Sequence, residues 1–122
     1  MKPAIKALDI ASESTHFAPE PFASRLGAFE RRRLADHFGL RKIGVHLETL
    51  PPGSRSALRH WHTRSDELAY VLDGELTLVT NEGESVLDAG MCIGFRAGVE
   101  NAHHLVNNSQ APATLLVVGA RV

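Results

Sequence analysis

From residue 41 onward, apolar and polar positions alternate in short runs. Ile43, Val45, Leu47 and Thr49 interleave with Gly44, His46 and Glu48, the period-two pattern of a half-buried strand. Pro51-Pro52-Gly53 breaks that strand. A second apolar run covers 68–72. Asp73-Gly74 after it predicts a two-residue hairpin turn, with 75–80 as the partner strand. Asn81-Glu82-Gly83-Glu84 predicts another turn, from which 85–87 returns. Ala89-Gly90 turns the chain again into 91–95, and strands near 102–107 and 113–120 complete the series. Short strands with turn signals at regular spacing predict an all-β sandwich or barrel.

The first forty residues read differently. Pro19 and Pro21 stand among small and polar residues, which predicts an extended, irregular arm. Phe17 and Phe22 give the arm something to bury, against the barrel or a second subunit. Phe29, Leu34 and Phe38 have near-helical spacing and predict one short helix that Gly39 would stop. The expected division is an amino-terminal arm over 1–40 and a barrel over 41–122.

With 122 residues the chain has the size of one domain. Hydrophobic residues make up 43% and charged residues 22%, as in soluble globular proteins. The formal net charge of −1 points to neither nucleic acid nor an anionic membrane as a partner. Arg31-Arg32-Arg33 does not change this. No aromatic-basic stacking platform accompanies the run, so it reads as a solvated face or as partners for nearby acids. Cys92 is the single cysteine, which excludes an internal disulfide, and a free cysteine is expected in the core. No apolar run approaches a membrane span, and the segment Met1 to Lys6 lacks the apolar core of a signal peptide, so cytoplasmic residence is the default expectation.

The candidate chemistry lies between the strands. His60 and His62 stand two apart, so on an extended strand both imidazoles point to one face while Trp61 points to the other. A hairpin after them would bring the Glu67 carboxylate back toward the pair. Two imidazoles and a carboxylate suit one divalent first-row metal such as Fe, Mn, Ni, Co or Zn. Tyr70, at odd offset from Glu67, should face away. His46 belongs to no metal pattern and reads as a satisfied or exposed histidine, with a place on the cavity if its face is the inner one. Arg55 and Arg59 precede the first ligand, and Arg96 is a candidate to meet an anionic substrate group; the ordinary reading of each is a surface arginine.

These residues carry a family resemblance. His60-x-His62, four residues, Glu67, six residues, Gly74 resembles the first cupin motif, with Gly53 one residue further upstream than usual. The stretch from Gly90 to Asn107 resembles the second motif. It departs from that motif in having Arg96 where Pro is usual and two extra residues after Gly98. His103 and Asn107 restore its His-x-x-x-Asn spacing, which makes His103 the implied fourth ligand. His104 and Asn108 have the same spacing, so His104 remains the alternative, and on a strand only one of the two histidines can face inward. Pro112, five residues past Asn107, favours the first pair.

The resemblance covers about residues 50–118. It implies a small jelly-roll barrel, a metal held by His60, His62, Glu67 and His103, and a small-molecule ligand or substrate. Three function classes follow: a metal-dependent enzyme, either a dioxygenase or a sugar-isomerase-like catalyst, a non-catalytic binding or sensing module, and a barrel whose histidines bind no metal, against which the presence of all four ligand types argues. No second carboxylate stands out inside the motifs, which keeps the second class open. Small cupins commonly pair through barrel edges or swapped arms, so a homodimer using the arm around 17–22 is expected.

Overall fold

The computed structural model describes residues 1–14, 29–56, 65–98 and 103–121. The arm residues Phe17 and Phe22 and the motif residues Arg59, His60, Trp61 and His62 lie outside the described residues. After a single 3-10 turn (Ala7–Asp9), the elements are β1 (Ser12–Glu13), β2 (Glu30–Arg33), α1 (Leu34–His37), β3 (Ile43–Leu50), β4 (Glu67–Asp73), β5 (Glu75–Thr80), β6 (Gly83–Asp88), β7 (Cys92–Phe95), β8 (His104–Val106) and β9 (Ala113–Ala120). The alternation read from residue 43 onward therefore became strands at the expected places.

The strands form two antiparallel sheets. The larger has the order β1-β2-β3-β9-β4-β7 and the smaller β6-β5-β8. Their facing sides share one core that includes Leu50, Val71 and Leu115 from the first sheet and Leu76, Leu78 and Leu105 from the second. Leu50, Val71, Leu76 and Leu115 have no exposed surface. Each contributes about 1.5–3 kcal/mol by leaving water. The fold is the all-β, jelly-roll type expected.

Two local expectations need correction. Asp73-Gly74 is not a hairpin turn. β4 pairs with β7 and β9, while β5 pairs with β6 and β8, so the chain changes sheets at Gly74. The dipeptide pattern reports a sharp reversal of the backbone, and it does not report which strand receives the next one. Gly74 adopts φ 81°, and a Cβ there would stand 2.7 Å from the Pro112 carbonyl oxygen.

The second correction concerns residues 29–38. Only Leu34–His37 is helical, and Glu30–Arg33 is a strand in register with Arg33↔His46 and Arg31↔Glu48 of β3. Cross-strand pairing with β3 outweighs the helical spacing, because Phe29 is in the core whereas Phe38 is exposed, so no apolar stripe exists. Gly39 does stop the helix, at φ 71° with its N–H donating to the Asp36 carbonyl at 3.0 Å. The three arginines meet acids as read: Arg31 with Glu48, Arg32 with Glu30, and Arg33 with Glu13 and Asp36.

Asp36 also accepts a hydrogen bond from Arg121, next to the end of β9. That bond, aided by the charges of Arg121 and Arg33, holds the Asp36 carboxyl below its ordinary 3.8. A carboxyl whose folded value is depressed stabilises the fold above its unfolded value and loses that effect as pH falls through the folded one. Asp36→Asn is therefore expected to melt below the parent at pH 7. The gap should narrow as pH falls below the ordinary carboxylate value, and it should correspond to no more than about 1 kcal/mol because the pair is partly exposed. Parallel thermal melts at pH 7 and pH 3 check this, and a gap that widens in acid would contradict it.

Candidate metal centre and cavity

The inward faces follow from register. β3 pairs with β9 as His46↔Val117 and Glu48↔Leu115, and β4 pairs with β9 as Glu67↔Gly119 and Ala69↔Val117. Directly opposed residues share a face. One inner surface thus carries His46, Glu48, Val117, Leu115, Glu67 and Ala69. Towards Leu50 that surface is sealed by apolar core. At the other end it opens into a cavity of about 370 Å³ that His46, Glu48, Glu67, Phe95 and His103 line.

Glu67 opens β4, and His103 precedes β8 of the opposite sheet. The cavity brings them together: His103 Nε2 lies 3.2 Å from Glu67 Oε1, across 36 residues of chain. The His103 ring stacks on Phe95, with centroids 3.6 Å apart and planes 2° from parallel. This stacking fixes the imidazole plane. His103 is only 4% exposed. His104, its neighbour, pairs with Val79 on β5 and does not line the cavity. The geometry thus brings His103, and not His104, to Glu67.

Asn107 fixes the segment that follows. It has no exposed surface. Its Nδ2 donates to the carbonyls of Leu50 and Ala111, both at 2.8 Å, while Oδ1 accepts from the backbone N–H and the hydroxyl of Ser109. A side chain that satisfies two donors and two acceptors anchors β8 to the end of β3, and with it His103.

Other expectations divide. Tyr70 faces outward, 38% exposed, as its offset from Glu67 requires. Cys92 is exposed, which corrects the expectation of a core thiol: it pairs with Tyr70, so it shares the outer face. Arg96 lines a shallow outer groove together with Lys42 and Leu68 and does not line the cavity. Arg55 lies beside Val106 in an isolated bridge and is not on the cavity wall either. Among the described residues the cavity arginines are Arg31 and Arg121.

Sequence reasoning missed Glu48, and it gave His46 a place on the cavity only if its face is the inner one, which it is. The polar side of β3 faces the cavity, where apolar residues would ordinarily be. Glu48 is 4% exposed. Its Oε2 stands 3.5 Å from Arg31 Nε and 3.8 Å from His46 Nδ1. Its Oε1 is buried and accepts no hydrogen bond among the described residues. Leaving a charged acceptor in that state costs several kcal/mol, a cost that a ligand donor would offset. The usable signal was the His46-x-Glu48 pair itself, two ionisable groups on one strand face.

The donor set fits a divalent metal. Glu67 and His103 offer a carboxylate oxygen and an imidazole nitrogen, the donors that borderline first-row ions take. Their 3.2 Å separation is close to the roughly 3 Å expected of two ligands about 2.1 Å from one ion and at a right angle. Among the described residues no group of three or more metal-ligating side chains occurs, and His60 and His62 lie outside them.

Residues 46–119 match the Cupin domain family model. No curated protein matches the chain. Among solved structures, a sugar phosphate isomerase from a cupin superfamily of Silicibacter pomeroyi shares 38% identity, with a TM-score of 0.94. The match covers 98% of this chain and 76% of that one. A candidate sugar phosphate isomerase of Acidithiobacillus ferrooxidans is 32% identical with a TM-score of 0.74, over 78% of this chain and 60% of that one. The polyketide cyclase RemF of Streptomyces resistomycificus is 22% identical with a TM-score of 0.77, over 98% and 80%, a likeness of fold. No described helix is long and apolar enough to cross a membrane.

Proposed function

This chain belongs to the cupin domain family, and on that premise we propose that it is a metal-dependent isomerase acting on a small hydroxycarbonyl compound of the sugar phosphate class. The observation that carries the reading is the cavity wall. The Glu67–His103 pair stands in the same cavity as an independent ionisable cluster, Arg31, His46 and Glu48. A binding or sensing module has no need of a second buried carboxylate. Moving a proton between neighbouring carbons requires such a group. The likeness to a sugar phosphate isomerase at 38% identity points the same way.

His60, His62, Glu67 and His103 would hold one divalent ion of Fe, Mn, Ni, Co or Zn. Such an ion polarises a carbonyl or hydroxyl oxygen and so acidifies the adjoining C–H bond. The chain does the rest. Phe95 and His103 keep one wall rigid by stacking, Leu115 and Val117 make the floor apolar, and Arg31 and Arg121 place positive charge in the cavity. The partner is thus a small molecule, with no nucleic acid and no membrane. A homodimer that uses the arm around Phe17 and Phe22 completes the proposal, and a monomer mass by light scattering would remove that part.

The test is metal content by mass spectrometry, followed by aldose–ketose interconversion of sugar phosphates by the metal-loaded protein. Near-stoichiometric metal and interconversion are expected. Oxygen consumption with an iron-loaded preparation and no interconversion would move the assignment to a dioxygenase. Metal or ligand binding without turnover would move it to a sensing cupin.

A further inference from the structure

We infer that Glu48 is a catalytic carboxylate of this site, the base that carries the proton between the two reacting carbons; the assignment rests on the isomerase reading above. Four observations converge on it. Glu48 is 4% exposed and lines the cavity. Its Oε1 is buried and accepts no hydrogen bond among the described residues, although the residue faces a space large enough for a small ligand. Its other oxygen is 3.5 Å from Arg31 Nε, which restricts the rotation of the carboxyl group. The other carboxylates on the cavity wall are engaged, Glu67 with His103 and Asp66 with the Ala97 N–H.

The register explains why Glu48 reaches the cavity. Arg31, Glu48 and Leu115 are successive cross-strand neighbours on β2, β3 and β9, and all three project from the inner face. Pairing with Arg31 and His46 occupies only one of its oxygens, and the other is left to a donor or an acidic C–H that arrives in the cavity. A hydroxycarbonyl compound supplies both.

The step balances within the substrate. The Glu48 carboxylate takes the proton from the carbon that bears the hydroxyl. The C–H electron pair forms the carbon–carbon double bond of an enediol, and the carbonyl π pair moves onto its oxygen. Protonated Glu48 then returns its proton to the former carbonyl carbon, and the hydroxyl proton passes between the two oxygens. One carbon is oxidised and its neighbour reduced by the same two electrons, so no co-reactant is consumed.

The experiment uses the metal-loaded protein in D2O, with fructose 6-phosphate and ribulose 5-phosphate as probes, followed by proton NMR. The unsubstituted protein is expected to place deuterium on the exchanging carbon. Glu48→Gln is expected to lose about 10²- to 10⁴-fold in kcat. Its deuterium wash-in should fall equally, with KM within about threefold of the parent and metal content unchanged. Glu48→Asp keeps the charge but withdraws the carboxylate by one methylene. It is expected to lose at least about tenfold in kcat by misplacing the base, and it decides the matter if the glutamine variant does not fold. Wash-in by Glu48→Gln within threefold of the parent overturns the assignment while the isomerase reading stands. So does full activity of Glu48→Asp beside an unfolded Glu48→Gln. Interconversion by the unsubstituted protein without deuterium wash-in, as a hydride shift between the carbons would give, also overturns the assignment while the isomerase reading stands. Absence of both interconversion and wash-in with both probes takes down the isomerase reading for this substrate class, before any variant is made, and the assignment falls with it.

Discussion

Glu67→Gln and His103→Gln proteins are expected to fold and to bind metal on the order of a thousandfold more weakly than the parent. Both substitutions nearly preserve volume at positions where the side chain lines a cavity instead of filling the core, so the fold should tolerate them. Each removes a donor of the proposed ion: glutamine offers no anionic oxygen at 67 and no ring nitrogen at 103. Loss of a hydrogen-bond partner that merely supports a metal ligand already costs about 10- to 100-fold in affinity, and loss of a ligand costs more. Chelator competition read by metal mass spectrometry checks this, with circular dichroism to establish the fold. The comparison that matters is His104→Gln. His104 does not line the cavity, so that variant should keep its metal. If His104→Gln lost metal and His103→Gln kept it, the ligand assignment would be reversed.

Gly74→Ala is expected to destabilise the fold by about 2–5 kcal/mol. A side chain at φ 81° is held in the left-handed region, which costs about 1–2 kcal/mol outside glycine. The added methyl would also stand 2.7 Å from the Pro112 carbonyl oxygen and 2.9 Å from Ala113 Cα. Both are backbone atoms, and Ala113 is fully buried, so neither can step aside without moving the start of β9. Overpacking of this kind adds about 1–3 kcal/mol. A fall of more than about 10 °C in melting midpoint should follow for a domain of this size. A midpoint within 2 °C of the parent would show that the corner relaxes more freely than its contacts imply.

Strand positions from residue 43 to 120 were legible in the sequence because alternation is a local signal, set by which side of each strand meets water. The destination of each strand was not legible. Gly74 announces a reversal, but whether β5 lies beside β4 or crosses to the other sheet depends on where β8, about thirty residues later, finds room. The same limit applies at residues 30–33. The strand there exists because β3 offers Glu48 and His46 as cross-strand partners to Arg31 and Arg33, an argument no local window contains. Glu67 and His103 were legible because their spacing within the two motifs survives insertions. His46 and Glu48 were visible as a polar alternation, but the usual assumption that polar faces are outward faces hid their role. A cavity inverts that rule.

The pairing of Glu67 with His103 has a mechanical side. Glu67 begins a strand of the six-stranded sheet, and His103 precedes a strand of the three-stranded one. Any ion gripped by both therefore acts as a clasp between two layers that at this end enclose a cavity and at the other end share a packed core. An ion held there would thus join the two sheets at the end that the apolar core does not reach.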